Sequence, residues 1–139
     1  MAVILSIDKS IESDILETFQ SQQKKSIQLR TESIKFRLDK LRKIENWVLN
    51  NRTLIQQAVY NDFKKPTEEA DVSEVFPILS EIRSVRKNLR NWAADKKVDT
   101  PLVLMGSSAW IKYEPKGVCL IIAPWNYPFM LLINPLIAA

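Results

Sequence analysis

The residues best suited to chemistry lie in the run Ala123-Pro124-Trp125-Asn126-Tyr127-Pro128. Asn126 is a neutral amide that can donate and accept hydrogen bonds, and an aromatic ring flanks it on each side. It follows the apolar run Val118-Cys119-Leu120-Ile121-Ile122, whose residues predict a strand buried on both faces of a parallel sheet. In an open α/β sheet ligands bind at the carboxyl ends of strands, in loops of this kind, which makes Asn126 a candidate ligand donor. The alternative is structural. Pro128 suits the first turn of a helix, and Asn126 would then act as that helix's N-cap.

Composition excludes several other chemistries. The sequence holds no histidine, so a His general base and a His-ligated zinc site are both ruled out, and no metal site is expected. Cys119 is the lone cysteine, which excludes an intramolecular disulfide and a paired-cysteine metal knuckle and suits a reducing compartment. In the predicted strand its thiol would be buried and inert, a core filler. The basic stretch Lys24, Lys25, Arg30, Lys35, Arg37, Lys40, Arg42 and Lys43 reads as a solvated helix face. Only Phe36 interleaves it, so no stacking platform for nucleic acid is evident. With 46% hydrophobic and 26% charged residues the composition is that of an ordinary globular chain, and only 2 glycines favour a helix-dominated one.

The elements that must position Asn126 follow from hydrophobic period. Ser10 predicts an N-cap for a first helix with Glu12 and Asp14 in its opening turn and Ile11, Ile15 and Phe19 as its stripe. The run Ser21-Gln22-Gln23-Lys24-Lys25 loses that period and reads as a connection. Ile34, Leu38, Leu41, Ile44 and Val48 predict a second helix, ending at Asn50-Asn51. Leu54, Ile55, Ala58, Val59 and Phe63 predict a third, stopped near Lys64-Lys65 ahead of Pro66. Thr67 opens a fourth, striped by Val72, Val75, Phe76, Leu79, Ile82, Leu89, Trp92 and Ala93, with a kink at Pro77 and Asp95-Lys96-Lys97 as its last turn. An extended stretch then begins at Thr100-Pro101, and Trp110 to Glu114 reads as a strand.

From Gly117 to Ala139 no side chain is charged, so a tail anchor in a membrane is a rival reading. Pro124, Pro128 and Pro135 oppose it, because lipid cannot satisfy the carbonyls they free. Met1 to Ile7 is apolar but lacks the basic flank and cleavage site of a signal peptide, which leaves the cytoplasm as the expected compartment. The sequence stops inside an apolar segment, as if a longer chain had been cut there, and residues 121–139 are expected to lack internal cover.

The run from Glu114 to Phe129, followed by Asn134-Pro135-Leu136-Ile137-Ala138-Ala139, resembles the aldehyde dehydrogenase superfamily, and Trp125-Asn126-Tyr127-Pro128-Phe129 looks most like its class 3 and fatty-aldehyde branch. Asp62-Phe63-Lys64-Lys65-Pro66 with Glu69-Ala70, and Trp92 before Thr100-Pro101, follow the same order. The resemblance implies an α/β fold with a Rossmann-type cofactor domain, of which this mostly α-helical piece would carry short β-strands near its C-terminal end. It implies a helical segment over residues 1–97, extended strands of an oligomerisation type over 98–115, and the first strand-loop-helix of the cofactor domain over 116–139. The implied activity is oxidation of aldehydes to carboxylic acids with NAD or NADP, in a homo-oligomer that binds neither nucleic acid nor membrane. By resemblance Asn126 is the oxyanion donor, Ile122, Ala123, Pro124 and Trp125 line the cofactor cleft, and Tyr127 and Leu131 wall the substrate tunnel. The nucleophilic cysteine, general-base glutamate and cofactor-binding lysine it implies are not among these residues, so this stretch alone is expected to be inactive. The reading from another class is a non-enzymatic helical module that buries its apolar tail in a partner.

Overall fold

The computed structural model describes residues 9–139, with side chains from Ile11 onward, so the stretch from Met1 to Ile7 lies outside the described residues. Six α-helices dominate the described residues: α1 (Lys9–Leu29), α2 (Ile34–Asn50), α3 (Arg52–Phe63), α4 (Thr67–Ala70), α5 (Phe76–Trp92) and α6 (Pro128–Ala138). Two short strands, β1 (Lys96–Val98) and β2 (Ala109–Ile111), pair antiparallel with Lys97 opposite Trp110. The chain divides into two compact units, one drawing on Met1–Glu32 and Pro115–Leu120, the other on Ser33–Glu114 and Ile121–Ala139. In the first unit α1 begins before Ser10, so that residue lies inside the helix and does not cap it from outside. The helix also runs straight through residues 21–25, correcting the predicted connection there. Gln and Lys are good helix formers, and where side chains are exposed intrinsic propensity decides.

The second unit holds the core. Ser33 caps α2, its hydroxyl oxygen accepting from the Phe36 N–H at 3.2 Å. The predicted stripe turns inward, with Leu41 and Val48 buried and Ile34, Leu38 and Ile44 half-buried. Asn51 ends α2 as expected. In α3 the buried face is narrower than the sequence suggests: Ile55 and Val59 go inside, while Leu54, Ala58 and Phe63 stay exposed. Lys64 then turns the chain in the left-handed conformation (φ 56°), and Pro66 follows.

Pro77 is accommodated without a broken helix. A π-helical turn, Asp71–Val75, joins α4 to α5, and Pro77 falls in the first turn of α5, where proline is well tolerated. The wider π turn carries residues four apart with little rotation, so Ala70, Glu74, Ile78 and Ile82 share the buried face. Val72 and Phe76, predicted to face inward, are consequently exposed. At the start of this turn Asp71 receives two hydrogen bonds from the Arg52 guanidinium, one of 2.7 Å from Nε and a second from the terminal nitrogen. Arg52 holds the Asp71 carboxyl below the usual carboxylate range, chiefly through these bonds and against the opposing effect of partial burial.

The C-terminal half departs further from expectation. The fourth helix ends at Trp92, so Lys96 and Lys97 belong to β1 instead of a last helical turn. Leu102–Leu104 forms a 3-10 turn, and of the strand predicted from Trp110 to Glu114 only Trp110 and Ile111 pair, within Ala109–Ile111. Residues 118–122 form no strand. Among the described residues only β1 and β2 pair, and a strand needs at least one neighbour to pair with. Leu120 and Ile122 are therefore exposed, and so is Cys119, which corrects its assignment as a core filler. The expectation of an uncovered tail also fails in part: Ile137 is buried, and Phe129, Met130 and Ile133 pack against the core. Among the described residues no helix is long and apolar enough to cross a membrane.

Two stability outcomes follow. Ile82 is fully buried among α-helical partners, and Ile82→Ala should cost about 2–5 kcal/mol in urea unfolding. Because the folded-state pKa of Asp71 is depressed, its contribution is complete above the unfolded carboxylate value and fades as pH falls through the lower folded value. Urea midpoints of the wild type and Asp71→Asn should thus differ by a constant small amount above about pH 4–5 and converge below it.

Candidate functional site

The loop that carries Asn126 is held from beneath by a buried ion pair. The left-handed turn at Lys64 and the fixed φ of Pro66 (−58°) bracket Lys65, whose side chain runs into the protein and is 9% exposed. Its ammonium meets Glu74, a carboxylate with no exposure at all, at 3.1 Å from Oε1. A buried charge is costly without a partner and without hydrogen bonds to its remaining lone pairs. Glu74 has both, since Oε2 accepts the Met130 backbone N–H at 2.9 Å. That N–H belongs to the first turn of α6, where donors lack intrahelical partners and the helix dipole favours negative charge.

Lys65 makes two further contacts, both to the loop. Nζ donates to the Asn126 carbonyl at 3.2 Å and lies 4.3 Å from the centroid of the Tyr127 ring. The Tyr127 carbonyl accepts the Leu131 N–H at 2.9 Å, and Phe129 meets the Trp47 ring of α2 at 6.3 Å between centroids. The chain is therefore fastened on both sides of the Asn126 peptide while the Asn126 side chain stays exposed. Tyr127, not Asn126, is the N-cap residue of α6, and no side chain caps that helix by hydrogen bonding. The structural alternative for Asn126 is thereby removed: among the described residues its amide has no hydrogen-bond partner. An unengaged amide on an anchored backbone beside a helix N-terminus is a donor suited to an oxygen that gains negative charge.

The other residues singled out by sequence sit along the same segment. Trp125 turns outward with Asn126 and is 80% exposed; Ile122 is 83% exposed, Pro124 is exposed and Ala123 half-buried. Tyr127 stands at the boundary of exposure and Leu131 is half-buried in α6. Sequence reasoning missed Lys65 and Glu74 as members of the site. The signal was faint: Glu74 lies four residues after Ala70 and four before Ile78, a lone acid on an apolar face. A surface hollow of about 650 Å³ lies at the end of α5, lined by Asn91, Trp92, Ala94, Asp95, Lys96 and Tyr113, and includes none of these residues.

Comparison with known proteins gives this geometry a context. Residues 1–139 match the family described as the Aldehyde dehydrogenase family. The chain is 43% identical over 110 residues to 4,4'-diaponeurosporen-aldehyde dehydrogenase of Staphylococcus aureus, covering 79% of this chain and 24% of that protein. It is 42% identical over 110 residues to aldehyde dehydrogenase family 3 member B2 of Mus musculus, covering 79% and 23%. With a putative aldehyde dehydrogenase, AldX, of Bacillus subtilis it shares 35% identity over 133 residues, covering 96% and 30%. A solved structure titled "Substrate bound state of Staphylococcus Aureus AldH" superposes with a TM-score of 0.84 at 39% identity, covering 88% of this chain and 27% of that one. The chain thus spans about a quarter of the length of these relatives.

The ion pair yields a sharp expectation. Glu74→Ala leaves the Lys65 ammonium buried without its carboxylate and should cost about 3–5 kcal/mol in urea unfolding. Pairing it as Lys65→Met with Glu74→Gln should recover most of that loss, because no unpaired charge remains.

Proposed function

Because the chain belongs to the aldehyde dehydrogenase family, we propose that it supplies the N-terminal quarter of an NAD(P)-dependent enzyme that oxidises aldehydes to carboxylic acids. The observation that carries this reading is the Asn126 amide, free of any partner among the described residues, on a backbone fastened by Lys65. Nucleophilic attack on an aldehyde carbonyl places negative charge on its oxygen. A donor fixed in advance stabilises that charge without reorganising, and the amide N–H of Asn126 is such a donor. The N-terminus of α6, immediately beyond it, adds a favourable dipole. Tyr127 and Leu131 offer an apolar wall that keeps the carbonyl carbon away from water. The nucleophile and general base implied by the resemblance lie outside these residues.

The segment fits part of a nicotinamide dinucleotide. Ile122 and Trp125 present exposed apolar surface of the kind that packs on a ring or ribose face, with Ala123 and Pro124 between them. No cation occurs from Ile122 to Leu131, so the phosphates need donors from another part of the enzyme. When bound, the dinucleotide supplies the hydride acceptor. The lone cysteine fits a reducing compartment, and we place the protein in the cytoplasm. The exposed Leu102, Val103 and Met105 beside the two open-edged strands support self-association into a homo-oligomer.

The test is a chimaera in which these 139 residues replace the matching stretch of the Staphylococcus aureus relative. With benzaldehyde or a medium-chain aldehyde it should generate NADH or NADPH, followed by absorbance. Asn126→Ala should lower kcat by about 10²–10³-fold while KM changes little, the loss expected for one oxyanion donor. An Asn126→Ala chimaera that retains full kcat would overturn the assignment.

A further inference from the structure

We infer that Lys65 is a positioning residue for Asn126, its ammonium fixed by the buried Glu74 carboxylate so that the Asn126–Tyr127 peptide, and with it the backbone point from which the side-chain amide extends, is held in place. This deepens the reading of Asn126 as an oxyanion donor and rests on it. The Lys65 side chain reaches its target across 61 residues of sequence, and it is nearly enclosed. Its three N–H donors have distinct uses: the Glu74 carboxylate, the Asn126 carbonyl and the face of the Tyr127 ring. A carbonyl held at 3.2 Å by a nearly enclosed cation restrains the Asn126–Tyr127 peptide. The Cα–Cβ direction of Asn126 then follows from its backbone.

Glu74 contributes a second restraint and creates a hazard that Lys65 removes. By accepting the Met130 N–H it anchors α6 four residues beyond Asn126. Alone, a carboxylate at that helix end would oppose any negative charge developing on a ligand nearby. The Lys65 ammonium balances it, so the anchor carries no net charge.

Two measurements separate this inference from the reading beneath it. In the 139-residue chain, 15N relaxation should show the Asn126–Tyr127 backbone segment as ordered in the wild type and in Lys65→Arg, which keeps a cation. It should be mobile in Lys65→Met and in the charge-neutral double variant Lys65→Met with Glu74→Gln, which folds without a buried unpaired charge. Unchanged order in both of these variants would overturn the proposal. In the chimaera, Lys65→Met should lower kcat by up to about 10²-fold with the dinucleotide Kd unchanged, and Lys65→Arg should restore most of it. In an Asn126→Ala background the same change should have no further effect on kcat. Equal losses in both backgrounds would show that Lys65 does not act through Asn126. If Asn126→Ala alone leaves kcat intact, the oxyanion reading falls and the relaxation data still decide whether Lys65 orders the segment.

Discussion

A carboxylate sealed from water governs the second unit of this protein. Glu74 has no exposed surface, and an ionised acid in that setting is tolerable only with a cation and further donors in place. Lys65 and the Met130 N–H meet that demand, one from the turn after α3 and the other from the first turn of α6. The requirement thus ties two neighbouring segments, residues 64–66 and the π turn, to residues 126–130, more than fifty positions further along the chain. A buried ion pair contributes little net stability compared with an apolar substitute. What it supplies here is geometry, since hydrogen-bond distances and directions restrain the loop more closely than apolar contact does.

The π turn is the backbone feature that makes this arrangement reachable. With Pro77 at the head of α5, an uninterrupted α-helix from Thr67 would lose a hydrogen bond and face a ring clash. One wide turn precedes the proline instead and places Glu74 on the same face as Ala70, Ile78 and Ile82. The apolar residues of that face form the core with α2, α3 and α6. Glu74 interrupts it at the point where α6 begins, so one polar residue among apolar ones marks the end of the core and the start of the site.

Legibility in the sequence was uneven for physical reasons. The α2 stripe was correctly placed because its face is broad and its period is regular. For α3 the extent was right, but the buried face was overstated: apolar residues with helical spacing need a neighbour to bury them, and Leu54 and Phe63 have none. The fourth helix was read correctly at Val75, Leu79 and Ile82 but wrongly at Val72 and Phe76, because hydrophobic period assumes one α-helical pitch, which the π turn violates. Residues 118–122 carry the composition of a doubly buried strand, yet strand formation depends on partners, and the described residues offer none. Cys119 shares that fate, its exposure following from the missing neighbours and not from its own chemistry.

The sequence by itself determined the helix starts at Ile34 and Pro128, the stop before Pro66 and the family to which the chain belongs, since caps, prolines and a long contiguous motif are local features. It also singled out Asn126, the polar residue of an otherwise apolar and aromatic loop. The tertiary structure decided what Asn126 is free to do. That Tyr127 takes the N-cap position, that Lys65 grips the Asn126 carbonyl and that Glu74 anchors α6 are relations between residues as many as 61 positions apart. No local pattern encodes them, because the physical requirement that selects them, compensation of a buried charge, exists only after the core has closed.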